Sequence, residues 1–149
     1  MKSIFDKNIR DEIVSRISLL NKKCKAKWGK MTVSQMVKHC ALCEEYYYGN
    51  VKVNRSFLGR IFGQRAIAGI LKNEIGGLGK NAPTSPQFKV GDPVLNLEAE
   101  KENWKQLIIR YENFSDENFI HWFFGKMTKK QLGEFIYKHC DHHLKQFGV

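Results

Sequence analysis

GKMTKKQLGEFIYKHCDHHLKQFGV, residues 125–149, closes the chain. Thr128 with Gln131 three residues on is a capping box, in which the Thr side chain and the Gln side chain each satisfy a backbone N–H of the first turn. Leu132, Phe135 and Ile136 then mark one face of a helix running nearly to Val149. That face continues through His139, His143 and Gln146. An apolar stripe that passes into His-x-x-x-His is unusual. Residues at i and i+4 stand about 6 Å apart on one side of a helix, close enough for both imidazoles to reach one metal ion.

A near copy of the opening occurs earlier, as GKMTVSQMVKHC at residues 29–40. Thr32 and Gln35 form the second capping box, Gly turns the chain before each helix, and Gly49-Asn50 supplies a stop. The flanks of the two phrases do not match, so they share a capping grammar rather than a duplication. In the earlier helix His39 lies on one face with Met36, Cys43 and Tyr46. His39 falls early in its helix and His139 and His143 fall late in theirs, so the three come level if the two helices run antiparallel.

The remaining chain is also helical in pattern. Ile9, Ile13, Ile17 and Leu20 describe a helix from Asp6 to Asn21, with Asp6 as its N-cap. Arg55–Gly77 is apolar and glycine-containing and reads as a helix, its glycines suited to close helix contact. Residues 76–93 hold all three prolines and form a long loop, placed to shape substrate access. From 97 onward Leu97, Trp104, Leu107, Ile108 and Tyr111 share a side. No strand pattern competes, and the expected class is all-α, a single domain over residues 1–149.

At 149 residues the chain can bury a core without disulfides. It has no signal-like start and no apolar run of the ~20 residues a membrane span needs, so neither a membrane nor an anchor is expected. Cys24, Cys40, Cys43 and Cys140 then read as reduced thiols in a soluble cytoplasmic protein. The net charge of +10 raises the question of nucleic acid, and lysines 22, 23, 25, 27 and 30 form the densest cluster. Arg is scarce by comparison and no nucleic-acid motif occurs, which favours a solvated lysine-rich loop.

The residues around these phrases resemble a known superfamily. WGKMTVSQMVKHC, KNAPTSP and HWFFGKMTKKQLGEFIYKHCDHHLKQFG, together spanning Trp28 to Gly148, resemble the DinB/YfiT-like proteins, and within them a DinB-related branch of small uncharacterised members. The most specific part is His139-x-x-His142-His143-x-x-x-Phe147-Gly148. The resemblance implies a four-helix bundle of up-down-down-up course and a divalent metal held by three histidines. These fall on His39, His139 and His143, the residues the helix faces bring together. Where the superfamily pattern has His-Pro-Phe-Phe-Gly, this chain has His121-Trp122-Phe123-Phe124-Gly125. The activities the resemblance brings with it, chiefly thiol-dependent transfer and isomerisation, belong to other branches.

Zn²⁺ is the first expectation for the ion, and the nitrogen-rich ligands also suit Ni²⁺, Fe²⁺ or Mn²⁺. With open positions such a centre suits a transferase or hydrolase acting on a small molecule, a low-molecular-weight thiol among the candidates. Around it, Gln146 is a candidate to orient an imidazole, His142 a reserve ligand, His121 a residue of the pocket mouth or a packed loop residue, and Cys43 a fourth ligand or a small core residue. Cys40-x-x-Cys43 is a weak redox signal, and Glu44 and Glu45 lie off the His39 face. Two other readings stand beside the enzyme: a non-catalytic metal- or ligand-binding stress-response bundle, and a basic nucleic-acid-associated protein. The apolar FLGRIFG segment is a candidate homodimer contact or simply part of the core.

Overall fold

The structure is a computed structural model that describes residues 1–72, 78–82, 84–91 and 96–149. Among these residues it is mostly helical: α1 (Lys7–Leu19), α2 (Val33–Tyr47), α3 (Phe57–Lys72), α4 (Leu97–Arg110) and α5 (Lys129–Gln146). Short 3₁₀ turns lie at Pro86–Phe88 and Tyr111–Asn113. The part of the predicted third helix beyond Lys72, and residues 76, 77, 83 and 92–93 of the predicted loop, lie outside the described residues.

The helix starts follow from their residues. Both capping boxes form: Thr32 Oγ1 accepts from Gln35 N and Thr128 Oγ1 from Gln131 N, each at 3.2 Å, while each Gln side chain accepts from its Thr N–H at 2.9 Å. The glycines that open the two phrases, Gly29 and Gly125, have φ of 80° and 84°, a left-handed turn that a side chain would strain. Asp6 is the N-cap of α1, but its side chain makes no capping bond.

One element was not legible in the pattern. Ile120–His121 (β1) and Gly125–Lys126 (β2) pair antiparallel, with Ile120 opposite Lys126 and His121 opposite Gly125. Two-residue strands are too short to leave an alternation in the sequence. The hairpin packs on α3, where Gly59 and Gly63 let the Phe123 backbone approach so closely that a Cβ at either position would overlap it.

The packing directions can be read from paired residues. Across α2 and α5, His39 meets His143, Glu44 meets Cys140 and Tyr47 meets Phe135, so these helices run antiparallel. Lys38 pairs with Glu100, and Tyr48 stacks on Tyr111, so α2 and α4 run parallel. Lys101 Nζ reaches the carbonyls of Ser18 and Leu20 while Phe5 packs on Tyr111, so α1 opposes α4. Ile4 N bonds Gly133 O and Arg16 pairs with Asp141, so α1 and α5 run parallel. The residues between them form the core. Ile13, Ile17, Met36, Trp104, Ile108, Leu132 and Ile136 are fully buried, and the rest of the predicted α4 face, Leu97, Leu107 and Tyr111, is buried as well.

Candidate metal centre

α2 and α5 bring His39, His139 and His143 together, as an antiparallel pair should. All three are buried. Their ring centres lie 5.5 Å (His39–His139), 5.0 Å (His39–His143) and 4.7 Å (His139–His143) apart. Imidazoles bound to one tetrahedral zinc hold their ring centres about 5 Å apart, given a Zn–N distance of about 2.0 Å. The ring centres are therefore spaced as one ion would need, although the spacing of the donor nitrogens is a separate matter.

The outer ring nitrogens fix two of the three rings. His39 Nδ1 lies 2.8 Å from the carbonyl of Phe88, in the 3₁₀ turn of the long loop, and Gln35 Nε2 ties the same loop down at Val90 O. His143 Nδ1 lies 2.9 Å from Gln146 Oε1, and Gln146 Nε2 donates in turn to Trp28 O at 2.7 Å. Both acceptors call for Nδ1–H, which leaves each Nε2 unprotonated, that of His39 facing Cys43 Sγ. Gln146 thus hydrogen-bonds one of the candidate imidazoles. Gly29 is part of the same support, since a Cβ there would stand 2.8 Å from Gln146 Nε2. Among the described residues His139 Nδ1 is buried with no hydrogen-bond partner, the kind of orphan that calls for an explanation.

Two sets of side chains have donor atoms that all lie within 4.8 Å of one another: His39, Cys43 and His139, and Cys40, His139 and His143. His139 belongs to both. Each set holds two of the three histidines, and among the described residues no set holds all three, so a single ion on all three requires the rings to reorient. Cys43 Sγ stands 3.8 Å from His39 Nε2, and Cys40 contacts Met36 Sδ at 3.7 Å. Cys40 is not among the candidate ligands read from the sequence, where it forms with Cys43 only a weak redox signal.

Electrostatics favour neutral donors. Burial lowers the pKa of His39, against the pull of the Phe88 carbonyl. Burial, then the neighbouring His143 and His39, holds His139 well below the ordinary range. Burial, then His39, takes His143 down to about 3. All three are unprotonated near neutral pH, with lone pairs to offer. Burial likewise pushes the thiols of Cys40 and Cys43 well up, so each remains a thiol unless a cation draws the proton off.

The other candidates fall outside this group. His121 is buried in β1, where its Nδ1 accepts from the N–H groups of Phe123 and Phe124 at 3.1 and 3.2 Å and its ring stacks on Phe124. It is the packed residue of the hairpin turn. His142 is half-buried and packs edge-on against Trp28, over which Lys80 lies. Asp141 pairs with Arg16 and Lys145 on the far side of α5.

Glu44 was missed. It is fully buried, accepts a short hydrogen bond from the Tyr111 hydroxyl, and accepts from Cys140 Sγ at 3.4 Å. Burial, partly offset by those two bonds, raises its pKa to about 7. It lies off the His39 face, but α2 is buried on two sides, against α4 as well as α5, and so has two inward faces. A surface cavity of about 290 Å³, lined by Tyr48, Arg110, Ser115 and Asp116 among others, opens near the C-terminal end of α2 rather than at the imidazoles.

No curated protein and no solved structure matches the chain. A family model does match, over residues 5–148, and by that match the chain belongs to the family described as protein of unknown function DUF1569.

Proposed function

We propose that this protein is a divalent-metal-dependent enzyme of DinB-like type, a transferase or hydrolase acting on a small molecule, with the ion held by His39, His139 and His143. The observation that carries the reading is the convergence of three neutral, buried imidazoles from two antiparallel helices at ring spacings of 4.7–5.5 Å. The DinB-like assignment draws on the residues quoted above and on the helix directions. With α1 taken as up, α2 and α4 run down and α5 up. The contacts α1–α4, α4–α2, α2–α5 and α5–α1 close a ring of four helices, and α3 lies beside it.

A bound ion would supply Lewis acidity, activating a water or an incoming thiol for attack on the substrate. The protein's own part is to hold the donors. Phe88 O and Gln146 Oε1 keep the Nδ1 protons of His39 and His143 in place, and the α2–α5 core excludes bulk water on the inner side. Zn²⁺ leads, with Ni²⁺, Fe²⁺ and Mn²⁺ compatible with the same donors.

A specific contact favours the second reading, a metal-binding bundle without turnover. Cys43 Sγ lies beside His39, and its donor atom groups with those of His39 and His139, so a thiolate could join the imidazoles and close the site, as in a structural centre. The two readings share one test. Elemental analysis of untagged protein should find about one equivalent of a divalent ion, lost in His143→Ala. A full complement of metal together with no turnover across a panel of thiols and esters would select the non-catalytic reading. No metal after reconstitution with zinc, nickel and manganese would end both.

A further inference from the structure

The largest unexplained surface lies on α3, away from the imidazoles. Phe57, Leu58, Ile61 and Phe62 are 75%, 58%, 56% and 51% exposed, four large apolar side chains within six residues. Their exposure has a structural cause. The face of α3 turned to the body is Gly59, Gly63, Ile67 and Leu71, and the two glycines seat the helix against the Phe123 backbone. The face opposite is left outward. Isolated exposed apolar residues are ordinary, but a contiguous cluster on one helix face marks a contact surface.

The charge around this face selects the partner. From Tyr46 to Asn73 the chain has five Lys or Arg and no Asp or Glu. Arg60, Arg65 and Lys72 are exposed on α3 itself, and exposed Lys126 adjoins it through the bond from Gln64 Nε2 to Lys126 O. By helical spacing Arg65 and Lys72 continue the same outward stripe, where long side chains can lay their stems along an apolar surface and lift their charges to its edge. A second copy seated face to face would set these cations against their own counterparts, with no carboxylate on α3 to offset them. An anionic lipid surface meets both demands, an apolar boundary for the aromatic face and phosphate for the cations.

We propose that α3 docks the protein peripherally on anionic bilayers, lying in the interface with Phe57, Leu58, Ile61 and Phe62 toward the acyl chains and Arg60, Arg65, Lys72 and Lys126 at the headgroups. No described helix is long and apolar enough to cross a membrane, so the contact is a surface one. It is independent of the metal reading.

Vesicle flotation tests it, using phosphatidylcholine alone and phosphatidylcholine mixed with phosphatidylglycerol, at low and high salt. Wild type should float with the anionic vesicles at low salt, release at high salt and ignore the neutral ones. Phe57→Ser with Phe62→Ser, and separately Arg60→Gln with Arg65→Gln, should each weaken binding by roughly tenfold or more while circular dichroism stays unchanged. Absence of flotation, equal binding to neutral vesicles, or binding unmoved by either pair overturns the proposal. A dimer in sedimentation equilibrium that the serine pair dissolves, without vesicle binding, assigns the face to a second copy instead.

Discussion

Histidine shows how little a residue type decides until its partners are known. His121 and His143 are both buried, and burial carries both pKa values down to about 3. His143 donates its Nδ1–H to Gln146 Oε1 and keeps Nε2 unprotonated, which suits a ligand. His121 turns its Nδ1 lone pair to two backbone N–H groups, which suits a turn. His121→Leu should leave both N–H groups buried and unpaired, costing about 3 kcal/mol of stability. Denaturant melts would read that loss, and elemental analysis should find the metal content of the variant unchanged. Loss of metal with little loss of stability would instead make His121 a ligand. The sequence raised both fates for His121 but could not choose, because the choice rests on the geometry of a three-residue turn.

At the scale of the element, the helices were legible where local chemistry specifies them. Both Thr-x-x-Gln boxes form as read, and the α4 stripe is buried throughout. Ends were less sharp: α1 stops at Leu19 and α2 at Tyr47, each a residue or two short of the expected bound. The glycines of α3 divide by context, which sequence alone does not reveal. At Gly63 a Cβ would overlap the Phe123 and Phe124 backbone, whereas at Gly69 it would meet nothing within 4 Å among the described residues. Gly63→Ala should therefore lower stability by about 2 kcal/mol or more, by forcing the hairpin off the helix. Gly69→Ala should raise it by roughly 0.5–1 kcal/mol, through helix propensity and a less flexible unfolded chain. Thermal melts of the two variants check the opposite signs, and a shared sign would contradict the packing of α3 on the 122–124 turn.

Across the whole molecule, α2 is the central helix, packed between α4 and α5, and Glu44 titrates inside that packing. Between pH 4.5 and 7 the folded protein retains a proton on Glu44 that the unfolded chain has released, so this group's contribution to stability falls as pH rises through that window. The shift from 4.5 to about 7 corresponds to about 3 kcal/mol. Glu44→Gln removes the titration while keeping an acceptor for Tyr111. In chelated protein the stability of the variant relative to wild type should be smallest near pH 4.5 and should grow, in favour of the variant, up to about pH 7. Paired melts across that range measure the difference directly, and a flat difference would mean that Glu44 keeps one protonation state throughout.

The sequence by itself determined the helical class, the capped starts of α2 and α5, and the placing of His39, His139 and His143 on inward faces. These depend on spacing and on side chains a few residues apart, which a linear chain records. Only the tertiary structure decided that α2 and α5 oppose each other so that the three rings meet. It also brought Cys40 and Glu44 inward, tied His39 to a carbonyl of the long loop, and left the aromatic face of α3 outside. Each of these depends on which surface a helix turns to which neighbour. That orientation is fixed by the combined burial of several helices, and no local run of residues contains it.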